Sequence, residues 1–72
     1  MIKGGSHLEN KIKELRKALG LSQDELARAV SVTRQTVISL ENGKYIASLP
    51  LAFRLARFFN VSIEDIFIFK EE

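Results

Sequence analysis

The chain has no cysteine and a single histidine. Without cysteine it can form neither a disulfide staple nor a thiolate metal site. The one histidine, His7, has no second ligand nearby, which argues against a metal or catalytic role. No glycine-rich phosphate loop and no metal-ligand spacing occurs, so neither enzyme activity nor a cofactor is expected. Apolar runs are short. The longest, Ile66–Phe69, falls far below a membrane span. The first nine residues carry no apolar signal-peptide core, and the expected compartment is the cytoplasm. Neither a membrane nor a small-molecule ligand is expected as a partner.

Excess charge is also scarce, with eleven basic residues against nine acidic ones and a net charge of +2. A non-specific nucleoid protein would carry far more. The distribution is uneven, however. Residues 10–57 hold nine basic and four acidic side chains, whereas residues 58–72 hold one and four. A basic body with an acidic end suits a polyanion on one side only. Ordinary solvated surface accounts for the same distribution equally well. With 72 residues there is room for one domain, and the 46% hydrophobic residues must build its core alone.

Residues 1–8 read as a flexible tail containing Gly4, Gly5 and Ser6. Leu8, Ile12, Leu15 and Leu19 follow the i, i+4, i+7, i+11 stripe of an amphipathic helix, predicted over Glu9–Leu19 and ended by Gly20. Ser22 and Glu25 form a capping box that starts a short second helix, Gln23–Val30, with Leu26, Ala27 and Val30 inward. After the brief break Ser31-Val32, Thr33 starts a third helix running to Glu41, which Asn42-Gly43 ends. Its buried side is marked by Val37 and Leu40. Ser48 caps a fourth helix with Pro50 in its first turn, where a missing N–H costs little. Ala52, Leu55, Ala56 and Phe59 give its inward stripe. Ser62 and Asp65 start a short fifth helix, and Ile66–Phe69 is β-prone.

Two short helices joined by about two residues have the length signature of a helix-turn-helix. At roughly 100° per residue, Arg34, Gln35, Ile38 and Ser39 share an arc of about 140° opposite Val37 and Leu40. These groups suit base edges: Arg grips guanine, Gln grips adenine, Ile meets the thymine methyl, and Ser serves either base. A solvated helix face that happens to lack acids is the plainer explanation, and the two-helix spacing weighs against it. The helix-two N-terminus at Gln23, together with Asn42 and Lys44 just after helix three, would hold phosphates and supply salt-dependent affinity. Thr33 joins them at the start of helix three.

The chain resembles the phage Cro and repressor-like (xenobiotic-response-element) helix-turn-helix proteins. The resemblance runs through Ile12-Lys-Glu-Leu-Arg-Lys17, Gly20-Leu-Ser-Gln-Asp-Glu-Leu-Ala27, Val32-Thr-Arg-Gln-Thr-Val37 and Leu40-Glu-Asn-Gly-Lys44. It continues through Leu51-Ala-Phe-Arg-Leu-Ala56 and Val61-Ser-Ile-Glu-Asp-Ile-Phe67. It implies an all-α, five-helix lambda-repressor-like DNA-binding domain over residues 9–66, with helix three in the major groove. It implies base contacts from Arg34, Gln35 and Ser39, phosphate contacts from Gln23, Thr36 and Asn42, and a largely buried ion pair between Arg16 and Glu41. Three positions depart from the family pattern. Ser31 and Asn60 stand where glycine is usual, and Pro50 stands where Glu is common.

One recognition helix reads only a few base pairs, so a homodimer on a twofold-symmetric operator of double-stranded DNA is expected. The C-terminal segment 67–72, a candidate short extended stretch, and helix five are the candidate contact, through Ile63, Phe67, Ile68 and Phe69. The competing arrangement folds these residues back on helices one and four of the same chain. A repressor acting by operator occupancy is the expected function. The alternative is an antitoxin or other protein-interaction module that binds a partner protein as well as DNA.

Overall fold

Among the described residues, four have positive φ, and each sits where a helix ends: Gly20, Ser31, Gly43 and Asn60. The computed structural model describes residues 6–71. The elements run β1 (Ser6–Asn10), α1 (Ile12–Ala18), α2 (Gln23–Ala29), α3 (Arg34–Glu41), α4 (Leu49–Phe59), α5 (Ile63–Ile66) and β2 (Phe67–Glu71). Each of α1 to α4 closes with the same pair of backbone bonds around its left-handed residue. At the end of α2, Ser31 N–H donates to the Arg28 carbonyl and Val32 N–H to the Ala27 carbonyl. Gly20 and Leu21, Gly43 and Lys44, and Asn60 and Val61 do the same for α1, α3 and α4. These are Schellman closures, which satisfy carbonyls that a helix end would otherwise leave unpaired.

The helix starts are equally local. Ser22, Thr33, Ser48 and Ser62 each accept a hydrogen bond from the backbone N–H three residues on. Glu25 and Asp65 complete two capping boxes by accepting from the Ser22 and Ser62 backbone N–H groups. Glu25, fully exposed, has its carboxyl held below the usual range, first by the backbone N–H of Ser22 and then by its hydroxyl. The N-terminus of α1 differs, because its N-cap residue Lys11 makes no side-chain cap. Asn10 serves instead. Its Oδ1 accepts from Ile12 N–H at 3.1 Å while its Nδ2 donates to the Leu40 carbonyl at 2.8 Å.

The core draws on all five helices: Ile12, Leu26, Val30, Val37, Leu40, Leu55 and Ile66 are almost fully buried. Leu15, Val32, Ala47, Phe59, Val61, Ile63 and Phe67 pack around them. Each fully buried aliphatic contributes on the order of 1.5–3 kcal/mol relative to an exposed one.

Two expectations change. The architecture is helical with a small sheet added, since β1 and β2 pair antiparallel with Leu8 opposite Phe69 and Asn10 opposite Phe67. Residues 6–8 therefore lie in a strand rather than in a tail; residues 1–5 lie outside the described residues. The same pairing shortens the first helix. Glu9 and Asn10 belong to β1, so α1 begins at Ile12. Of the expected stripe only Ile12 and Leu15 turn inward, and Leu19, at the C-cap, is 57% exposed. A two-stranded sheet is marginal by itself. This one is tied to the bundle by Phe67 and by the Lys11 N–H, which donates to the Ile66 carbonyl at 2.8 Å. Among the described residues no helix is long and apolar enough to cross a membrane.

Candidate nucleic-acid interface

Helix α3 is seated by its apolar side. Val37 and Leu40 are 0% and 1% exposed, because they fall on the one face that meets α2 and the core. The opposite side carries Arg34 and Gln35, both exposed, and Ile38 and Ser39, both half-buried. The sequence-predicted base-contact residues are thus brought together on one element. No acidic residue lies in the first turn of α3, leaving the positive end of its dipole unopposed.

The expected phosphate ligands separate into groups. Thr33 and Thr36 lie together at the start of α3, with hydroxyl oxygens 3.0 Å apart. Asn42 and Lys44 are exposed just beyond its end. Gln23 is placed differently. It is half-buried, and its Nε2 donates to Glu41 Oε1 at 3.1 Å. The N-terminus of α2 also carries Asp24 and Glu25 in its first turn, which work against an anion there.

Glu41, the last residue of α3, is the hub of a buried polar network. Arg16 Nε donates to its Oε2 at 2.6 Å and Arg16 Nη2 to its Oε1 at 3.1 Å. The two side chains are 10% and 3% exposed. Arg16 Nη1 also donates to the Leu21 carbonyl at 2.8 Å, so α1, its C-terminal turn and α3 share one guanidinium. Burial pushes the Glu41 carboxyl up, but the hydrogen bonds from Arg16 and Gln23 and the charges of Arg16 and Lys13 outweigh it. Its pKa lies below the ordinary value. The Arg16 pKa is raised, chiefly by its hydrogen bond to Glu41 and despite the opposing effect of burial. Among the described residues no buried side-chain nitrogen or oxygen lacks a hydrogen-bond partner.

Sequence reasoning missed Asn10, which holds the last turn of α3 through the Leu40 carbonyl. An amide just before an amphipathic stretch was the available signal. It also missed Arg54, whose Nε donates to the Val30 carbonyl at 2.9 Å. Nothing in the local pattern marks that contact.

The candidate interface residues at the C-terminus do not form one patch. Ile63 and Phe67 are half-buried against the chain's own core. They line a shallow apolar groove with Leu8, Ala47, Leu49 and Ala52. Phe69, on the same face of β2 as Phe67, is 63% exposed, while the half-buried Ile68 points to the other face. Leu49, Ile46 and Phe53 add exposed apolar surface from α4 and the loop before it.

Comparison with known proteins gives a consistent result. A helix-turn-helix family model matches residues 12–66. The chain is 52% identical over 65 residues to an uncharacterized HTH-type transcriptional regulator of Archaeoglobus fulgidus, covering 90% of this chain and 92% of that one. It is 34% identical over 59 residues to the ImmF control region 10 kDa protein of Bacillus phage phi105, covering 82% and 66%. Among solved structures, it is similar to the restriction-modification controller protein C.AhdI of Aeromonas hydrophila. The TM-score is 0.71 and the identity 33%, covering 76% of this chain and 83% of that one. The transcriptional regulator VanUg shares the fold over 100% of this chain and 96% of its own, with a TM-score of 0.76 at 23% identity.

Proposed function

The chain belongs to the Cro/repressor-type helix-turn-helix family, and we propose that it binds a specific double-stranded DNA site as a homodimer and represses transcription by occupying it. The observation that carries this reading is the seating of α3, with Val37 and Leu40 buried and Arg34 and Gln35 exposed. In the proposed complex α3 enters the major groove. Arg34, Gln35, Ile38 and Ser39 meet base edges, while Thr33, Thr36, Asn42, Lys44 and Gln23 hold the backbone. The names of its relatives support a regulatory role: HTH-type transcriptional regulators, a phage control-region protein and a restriction-modification controller. The reading requires no reaction and no cofactor.

Two copies would bring two recognition helices to half-sites about one helical turn, or ~34–36 Å, apart. Exposed Phe69, beside the groove lined by Ile63 and Phe67, supports a contact at this end of the molecule. Ile68 would join through the other face of the strand. The same exposed apolar surface, with Ile46, Leu49 and Phe53, also favours a second reading, in which the chain docks on a partner protein as an antitoxin does.

Selection from a random duplex library followed by footprinting tests the first reading, and a short twofold-symmetric site is expected. Equal affinity for every duplex would overturn it. Sedimentation decides the dimer: a monomer well above micromolar concentration removes that part of the proposal.

A further inference from the structure

The turn between α2 and α3 depends on a strained residue. Ser31 has φ 63°, a conformation in which a Cβ is crowded by the backbone. The corresponding residues after α1 and α3 are Gly20 and Gly43, which have no Cβ, and the one after α4 is Asn60, a type that tolerates this region. The α2–α3 turn therefore has the most to gain from outside support, and it receives some. Val30, the C-cap of α2, precedes Ser31, and its carbonyl accepts the hydrogen bond from Arg54 Nε at 2.9 Å, across 24 positions of the chain. That carbonyl belongs to the peptide plane linking Val30 to Ser31. Rotating the plane would carry Ser31 out of its left-handed conformation. The guanidinium, standing on α4, resists that rotation.

We propose that Arg54 is a positioning residue for DNA reading. It clamps the Val30–Ser31 peptide and so sets the angle at which α3 is presented. The inference rests on the reading of α3 as the recognition helix. Arg54 acts on Ser31 and, through the turn, on Arg34 and Gln35. Loosening the turn lowers the fraction of molecules whose recognition helix is correctly aimed, and apparent affinity falls by that fraction. A loosened turn weakens a site that demands exact alignment more than it weakens sequence-independent contact with the backbone.

The test uses the full chain, the duplex it selects from a random library, and a scrambled duplex of equal length, titrated at several salt concentrations. Arg54→Ala is expected to weaken the selected duplex by about fivefold. Affinity for the scrambled duplex and the salt slope on the selected one should stay as in the parent. Adding Ser31→Gly should restore most of the loss, because glycine holds the turn without a clamp. The proposal is overturned if Arg54→Ala binds like the parent. It is equally overturned if both duplexes weaken alike, the salt slope drops by about 0.9 and Ser31→Gly gives no rescue, since Arg54 is then a phosphate ligand. Circular dichroism checks that the variants are folded. If Arg54→Ala is not, Arg54→Gln replaces it, and amide exchange without DNA gives the readout. Exchange at Val32, bonded to the Ala27 carbonyl, should quicken while exchange at Leu21 after α1 does not; equal effects at both sites overturn the clamp. If the parent protein has no site preference, the DNA-reading proposal itself fails, a result distinct from all of these.

Discussion

Arg16 and Glu41 lie 25 positions apart and share two hydrogen bonds, so the last turn of α3 is tied to α1 by a buried, fork-shaped contact. Helix α3 is thereby fixed at the end away from Arg34. Each charge depends on the other, because neither faces enough water to be solvated alone.

Removing one partner strands the other. Glu41→Ala or Arg16→Ala is expected to cost about 3–5 kcal/mol, a large part of the ~5–15 kcal/mol that stabilises a typical domain. Urea unfolding followed by circular dichroism checks this. The double replacement Arg16→Met with Glu41→Leu should recover most of the loss, since no unpaired charge remains. A single variant as stable as the parent contradicts the account.

The same pair predicts an acid limb. The Glu41 carboxyl has a folded pKa below its unfolded value, so the unfolded chain binds more protons as pH falls. Stability from this group is fully present above the unfolded value of about 4.3. It is lost as pH drops from there through the folded value. Glu25 acts in the same direction. Unfolding free energy measured from pH 7 to pH 3 should be nearly flat at first and then fall. Glu41→Gln should be less stable at pH 7 and show a shallower fall.

Left-handed helix ends predict substitutions of opposite sign. Ser31→Gly is expected to stabilise the domain by about 0.5–1 kcal/mol, because the Cβ penalty disappears. Gly43→Ala is expected to destabilise it by about 1–2 kcal/mol. A Cβ at Gly43 meets nothing within 4 Å, so that cost is conformational rather than a clash. Thermal melts of the two variants decide the matter.

The residues proposed to read bases and those proposed to hold phosphates are expected to separate in binding assays. On the proposed function, Arg34→Ala and Gln35→Ala each lower affinity for the selected site by about 1–3 kcal/mol and relax preference at single positions. Lys44→Ala instead weakens all duplexes alike and reduces the salt slope by about 0.9. The same pattern from all three variants would contradict this division of labour.

Much of the fold was legible in the chain. Val37 and Leu40 are inward and Arg34 and Gln35 outward, as a period of 3.6 requires. The capping oxygens of Ser22, Thr33, Ser48 and Ser62 stand where a local pattern of hydroxyl and amide groups puts them. The start of the first helix was not legible. Leu8 keeps helical spacing with Ile12, yet it faces Phe69 across a sheet. Gln23 likewise has a contact that was not legible. Its position at a helix start is local information, whereas its partner Glu41 is 18 residues on.

The sequence by itself determined where α2 to α5 begin, where α1 to α4 end and which side of α3 is apolar. Caps, left-handed turns and periodicity are set mainly by groups within a few residues, so their pattern can be read along the chain. Tertiary structure alone decided that Ser6–Asn10 pairs with Phe67–Glu71 and that Asn10 holds the Leu40 carbonyl. It also decided that Arg54 reaches the carbonyl of Val30. Each of these contacts joins positions at least 24 residues apart. Such contacts form only once the packed core brings the segments together, because the entropy of closing so long a loop must first be offset by burial elsewhere.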